Sequence, residues 1–132
     1  MRDRIAVGTI LSLISFALSI RARSAASHSV WDGVYTEEQA LRGQPLYAEQ
    51  CSSCHGDALN GGEAAPALAG GDFLSNWNGL TLGDLFERMR TTMPENKPGR
   101  LSREVNVSIL AYMLRFNQFP TGKTELPTKP RS

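Results

Sequence analysis

Two cysteines and two histidines are all the soft-ligand chemistry that 132 residues offer. A structural zinc site needs four protein ligands at paired spacing; beside Cys51, Cys54 and His55 only His28 remains, so zinc fits poorly. Alternating or β-branched apolar runs are also missing around the cysteines, which removes the βαβ setting of a thioredoxin-like redox pair. No apolar stretch reaches the ~20 residues of a bilayer-spanning helix; the run from Ile5 to Ile20 stops at 16. Nor is there a strong bias of charge, since 14 Lys and Arg stand scattered against 13 Asp and Glu. That excludes nucleic acid as the expected partner.

What is present starts with the amino terminus. Arg2 and Arg4 precede the uncharged Ile5–Ile20 run, and Ser24, Ala25 and Ala26 follow it, the pattern of a secretory signal cleaved near Ala26. The alternative is an uncleaved anchor, and only then does the membrane become a partner. Residues 1–26 carry Arg2, Arg4, Arg21 and Arg23 against Asp3, so the formal charge of +1 for the whole chain becomes −2 without them. Export to the periplasm is the expectation. The chain divides into 1–26 signal, 27–35 lead-in, 36–120 a single domain, and 121–132 an extended tail in which Pro127 and Pro130 break regular structure.

The stretch that organises the domain is Cys51-Ser52-Ser53-Cys54-His55. Two thiols separated by two residues can each add across a haem vinyl group while the adjacent imidazole reaches the iron, so C-x-x-C-H reads as c-type haem attachment. A plain disulfide between Cys51 and Cys54 is the alternative, and an oxidising compartment favours it. The histidine next to the second thiol argues for haem.

Around this motif the chain reads as helices and loops. A first helix is expected from Thr36 toward Gln50, with Thr36 and Gln39 forming a capping box and Glu37 and Glu38 facing the positive end of the dipole. Pro45 predicts a kink or break near Arg42 to Gln44. Ala40, Gly43 and Tyr47 share one face. From Gly56 to Gly71 the glycines and alanines predict irregular loop, whose length suits wrapping a flat cofactor. Within it, Pro66-Ala67-Leu68-Ala69-Gly70 either offers backbone carbonyls to the ring N–H of His55 or is a proline-stiffened turn. Thr81 to Arg90 reads as an amphipathic helix capped by Thr81, with Leu82, Leu85, Phe86 and Met89 on its apolar face. Trp77 before it has an indole N–H that wants an acceptor when buried; a haem propionate and a backbone carbonyl are the alternatives.

Met93 lies on a loop stiffened by Pro94 and Pro98, while Met89 and Met113 fall on apolar helix faces. Given a haem already ligated by histidine, the Met93 thioether is the candidate second ligand of a Met/His iron. The last helix starts at a Ser102 cap, with Leu101 as staple, and carries two apolar faces: Val105, Ile109, Tyr112, Met113 and Phe116 on one, Val107, Leu110 and Leu114 on the other. One face is expected against the cofactor and the other against the first helix, an aromatic lying over Gly43.

With Cys51-Ser52-Ser53-Cys54-His55 in front, Pro66-x-Leu68 after it, Met93-Pro94 later and Ala111-Tyr112-Met113-Leu114 in a closing helix, the chain resembles the class I cytochrome c family over residues 36–120. The Phe73 to Leu85 segment and the ending Arg115-Phe116-Asn117-Gln118-Phe119-Pro120 are similar to small bacterial cytochromes found with quinoprotein dehydrogenases. The resemblance implies an all-α, cytochrome c-like fold of three to four helices and long loops around one covalently bound haem c. It implies thioether bonds at Cys51 and Cys54, His55 and Met93 as the axial iron ligands, and the Pro66 carbonyl as the His55 partner.

A haem held on both sides has no open position for substrate, so the expected role is a soluble one-electron carrier and not an enzyme. It would serve redox partners such as a dehydrogenase and a terminal oxidase or another cytochrome, with no small-molecule substrate. The alternatives are a cytochrome subunit of a dehydrogenase complex and a haem protein with an open distal site for a small gas or peroxide. A cavity between the two sulfurs, the imidazole and the Met93 thioether is expected. Lys97, Arg100 and Arg103 are either a basic rim or a solvated loop, and His28 reads as an idle surface histidine.

Overall fold

Thr36 ends an extended segment and accepts the backbone N–H of Gln39 at 3.2 Å, which starts the first helix. The computed structural model describes residues 28–130; the segment read as an export signal lies outside them. Their order is α1 Glu37–Gln50, α2 Ser52–His55, α3 Gly70–Trp77, α4 Leu82–Thr92 and α5 Arg103–Phe116, after a 3₁₀ turn at Val30–Asp32. No strand occurs among the described residues, as the all-α expectation required. Five α-helices lie among the described residues, against the three to four expected: α2 is a single turn, and α3 begins on Gly70 and Gly71, where the expected loop ended.

The frame is the crossing of α1 and α5. Gly43 faces the backbone of Ser108, and a Cβ there would overlap the Ser108 carbonyl oxygen and lie 3.0 Å from the Tyr112 Cβ. Glycine is what lets the two helices approach. Tyr47 and Tyr112 pack together across the crossing, their rings tilted by 48° with centroids 5.4 Å apart. On α5 every residue from Asn106 to Leu114 is buried, a wider band than two apolar faces. The polar Asn106 is tolerated inside because its side-chain N–H groups reach the carbonyls of Leu101 at 3.1 Å and Ser102 at 2.9 Å.

Two expectations are corrected, and the lead-in gains a definite place. α1 runs unbroken through Pro45; Leu41, whose carbonyl loses its donor there, is exposed, so water can take the donor's place. Gln39 does not complete a capping box. It is buried, and its amide donates to the Leu126 carbonyl at 2.9 Å and accepts the Leu126 N–H at 2.8 Å, so both its polar atoms are satisfied by the tail. The lead-in is packed: Tyr35 is buried and donates its hydroxyl to the Phe119 carbonyl at 2.6 Å, and Trp31 stacks on Phe119 at 4.8 Å.

α3 has its own explanation. Ala69 cannot cap a helix, and the first free N–H, that of Gly70, is bound at 3.0 Å by the side-chain oxygen of Asn117 at the end of α5. A cap supplied from 47 positions away leaves no local trace.

Candidate functional site

Where α1 ends, the Cys51 N–H closes on the Tyr47 carbonyl at 2.9 Å, and the chain turns at once into α2. Within that turn the N–H groups of Cys54 and His55 both bond the Cys51 carbonyl, at 3.2 and 3.0 Å. Cys51, Cys54 and His55 are therefore fixed on one short turn by backbone bonds alone. Both thiols are free, Cys51 half-buried and Cys54 exposed. Burial, and then the neighbouring Cys54, push the Cys51 thiol up to about 11, so it is protonated at neutral pH. The exit of the turn is held by Tyr47, which donates its hydroxyl to the Gly56 carbonyl at 2.7 Å. Burial raises the Tyr47 hydroxyl far above its ordinary value, and it stays a donor.

His55 is buried, and its Nδ1 lies 2.8 Å from the Pro66 carbonyl oxygen. A carbonyl only accepts, so Nδ1 carries the proton and the lone pair is left on Nε2. The loop that brings Pro66 there is closed by its own backbone: Gly61 N–H bonds the His55 carbonyl at 2.8 Å, and the buried Leu59 carbonyl accepts from Leu68 at 2.8 Å and Ala69 at 3.1 Å. Gly61 is needed at φ +71°, where a Cβ would meet the backbone of Ala65 to Ala67.

Met93 stands at the end of α4. The Thr81–Asp84 capping box starts that helix. The hydroxyls of Thr91 and Thr92 bond the Glu87 and Arg88 carbonyls at 2.6 and 2.7 Å in its last turn. Beyond it, the Lys97 N–H bonds the Pro94 carbonyl at 2.9 Å and closes a tight loop behind a half-buried Met93. Of the other candidates, Met113 is in the core and Met89 packs against it. Among the described residues no hydrogen bond joins Met93 to the Cys51–His55 turn. Trp77, on α3, packs against the core and lines a groove of about 330 Å³ with Phe73, Leu82, Leu85 and Leu114. That groove and a second of about 650 Å³ are lined by none of Cys51, Cys54, His55 and Met93, so neither is the cavity expected between those side chains. His28 is exposed. Arg103 reaches Glu87 at 3.5 Å and Arg100 bonds Gln50, so of the basic trio only Lys97 has no side-chain partner among the described residues.

The donor set can be tested for chemistry. Two free thiols flank a turn that ends in an imidazole with its Nδ1 occupied and Nε2 available, which is what covalent haem attachment and iron ligation ask for. Among the described residues no group of three or more His, Cys, Asp and Glu is arranged to hold a metal ion. Tyr47 and Asn117 are the contributors that sequence reasoning missed. Their partners are backbone atoms of the loop, which no side-chain pattern announces.

The fold and this turn define a cytochrome c. A family model described as "Cytochrome C oxidase, cbb3-type, subunit III" matches residues 38–113, and the chain belongs to that family. Its place among cytochromes c makes haem c, bound covalently, its cofactor and electron transfer its chemistry. More particularly, it is 39% identical over 74 residues to the menaquinol:cytochrome c reductase cytochrome c subunit of Bacillus subtilis (strain 168), a match covering 48% of this chain and 29% of that protein. The crystal structure of the sulfane dehydrogenase SoxCD from Paracoccus pantotrophus is similar at 26% identity and a TM-score of 0.50, over 67% of this chain and 53% of that one. The chain thus spans under a third of the curated relative and about half of the solved one.

Proposed function

We propose that this protein is a one-electron carrier holding a single haem c, tethered by Cys51 and Cys54, with His55 and Met93 as the axial iron ligands, exported to the periplasm to move electrons between redox proteins. The observation that carries the reading is the His55 ring, buried and held by Nδ1 at 2.8 Å to the Pro66 carbonyl with both thiols on the same turn. Once bound, the haem supplies reversible exchange of one electron. The chain's own residues do the rest. The thiols fix the group in place, the Pro66 carbonyl sets the tautomer and aim of the ring, and the stiff loop after α4 presents the Met93 thioether. A thioether ligand and an apolar surrounding both favour the reduced iron. With neither axial position open, no substrate is turned over.

A second reading has support in the named relatives, one printed as a cytochrome c subunit of a reductase and the other as a dehydrogenase. Under it the same module works as a cytochrome subunit inside a larger oxidoreductase assembly. Sizing of the native protein separates the two: a free monomer supports the diffusing carrier, and co-elution with a large partner supports the subunit.

The central reading is tested by mass spectrometry and a pyridine haemochrome spectrum on protein exported with a haem-attachment pathway. One added haem, together with a sulfur-to-iron charge-transfer band lost in Met93→Ala and kept in Met89→Ala, supports it. No added haem refutes it. Full-occupancy carbon monoxide binding by the unmutated protein refutes the Met93 ligand and points to an open distal site.

A further inference from the structure

The carbonyl that orients His55 belongs to a loop without regular structure, so something outside the loop has to hold it. Inside the loop, Leu68 and Ala69 bond the carbonyl of Leu59, whose side chain sits in the core seven residues before Pro66. Besides the His55 bond itself, two side chains among the described residues reach the loop from the packed helices. Tyr47 of α1 grips its start at Gly56, 2.7 Å away. Asn117, at the end of α5, grips its far end: its Nδ2 donates to the Leu68 carbonyl at 3.0 Å, and its Oδ1 accepts the Gly70 N–H at 3.0 Å. The same Nδ2 donates to the Met113 carbonyl at 2.8 Å, which anchors the amide to the most deeply buried helix. Leu68 follows Pro66 by two residues.

We propose that Asn117 is a positioning residue for the His55 ring: by tying Leu68 and Gly70 to α5 it keeps the Pro66 carbonyl at Nδ1, and thereby tunes the basicity of the imidazole that faces iron. The inference rests on the reading of His55 as an axial ligand. Its physical content is that the strength of the Nδ1–H···O bond feeds through the ring to the metal. A stronger bond makes the imidazole a better donor and favours oxidised iron; a weaker one raises the reduction potential. Loss of packing that lets water reach the group acts in the opposite sense, because exposure favours the oxidised charge. The direction of the change therefore separates positioning from mere loosening.

Capping of α5 is the competing role, and the neighbouring residue isolates it. Gln118 has φ +64°, a left-handed conformation that glycine adopts without strain, and its N–H closes the helix end on the Arg115 carbonyl at 2.9 Å. Gln118→Gly strengthens that end without touching the Asn117 amide. The experiment compares the holoprotein in four forms: unmutated, Asn117→Ala, Gln118→Gly, and Asn117→Ala with Gln118→Gly. The readouts are reduction potential, melting temperature, and solvent exchange of the His55 Nδ1 proton in the reduced state by nuclear magnetic resonance. Asn117→Ala is expected to raise the potential by a roughly threefold or larger shift of the redox equilibrium, tenfold being about 59 mV for one electron. It is also expected to speed Nδ1 proton exchange, with the charge-transfer band intact. In the double variant the melting temperature recovers while the raised potential persists. Should the single variant fail to take up haem, the double variant carries the comparison. A potential that is unchanged or lowered, or that returns to the unmutated value along with the melting temperature, overturns the proposal. An unmutated protein without haem, or without histidine on its iron, sinks the functional reading itself, so the two failures are distinguishable.

Discussion

Tyr47 donates its hydroxyl to the carbonyl of Gly56 at 2.7 Å, joining the last full turn of α1 to the residue that follows His55. Because the same ring packs against Tyr112, the Cys51–His55 turn is tied through one side chain to the crossing of α1 and α5. Tyr47→Phe keeps the ring and removes the donor. The expected cost is about 1 kcal/mol, the net contribution of a typical hydrogen bond, because the Gly56 carbonyl is only partly buried. Thermal unfolding of the holoprotein checks it.

Gly43→Ala places a methyl group into the Ser108 carbonyl, and neither backbone can yield without parting the two helices. Overpacking of this kind costs roughly 1–3 kcal/mol or more. Gly71→Ala is the control, since nothing lies within 4 Å of its Cβ position and it sits inside α3. That change is expected to be neutral or to stabilise by a few tenths up to about 1 kcal/mol through helix propensity. Chemical denaturation of both variants gives the comparison, and equal stabilities would refute the account of the crossing.

Gln39→Leu removes both bonds to Leu126 while filling similar volume. The tail then keeps its Arg42–Glu125 ion pair, exposed at 2.6 Å, which is worth little. Faster proteolysis after residue 122 is expected, with the haem spectrum unchanged. Cleavage kinetics followed by mass spectrometry read this directly.

Asp84 illustrates a pH effect. Hydrogen bonds from the backbone and hydroxyl of Thr81 hold its carboxyl below the usual carboxylate value. A depressed folded value means the fold prefers the ionised form, so the stabilisation is present above about pH 4, the ordinary aspartate value. It fades as pH falls through the lowered one. Asp84→Asn is therefore expected to be less stable than the unmutated protein at neutral pH, with the gap narrowing under acid. Melting curves at several pH values test it, and a gap independent of pH would refute the mechanism.

Local signals were legible. Thr36, Thr81 and Ser102 each accept a backbone N–H three residues on, because a cap is written within one turn of its helix. The Cys51–His55 turn is equally local, being built from bonds that span four residues or fewer. What escaped was non-local. Gln39 looked like a cap partner until Leu126, 87 positions away, offered both a donor and an acceptor to a buried amide. The glycines at the start of α3 looked like loop because the residue that binds the Gly70 N–H, Asn117, closes the end of α5. Pro45 did not end α1, and it stands on an exposed face. In each case the deciding partner was distant in sequence or was solvent.

The tie between the two flanking segments bears on architecture beyond this chain. Gly122 donates its N–H to the Tyr35 carbonyl at 2.6 Å, and Trp31 stacks on Phe119. The polypeptide thus arrives at and departs from the helical bundle on neighbouring ground. A unit whose ends meet in this way can be spliced between other segments as a cassette, without rethreading the host.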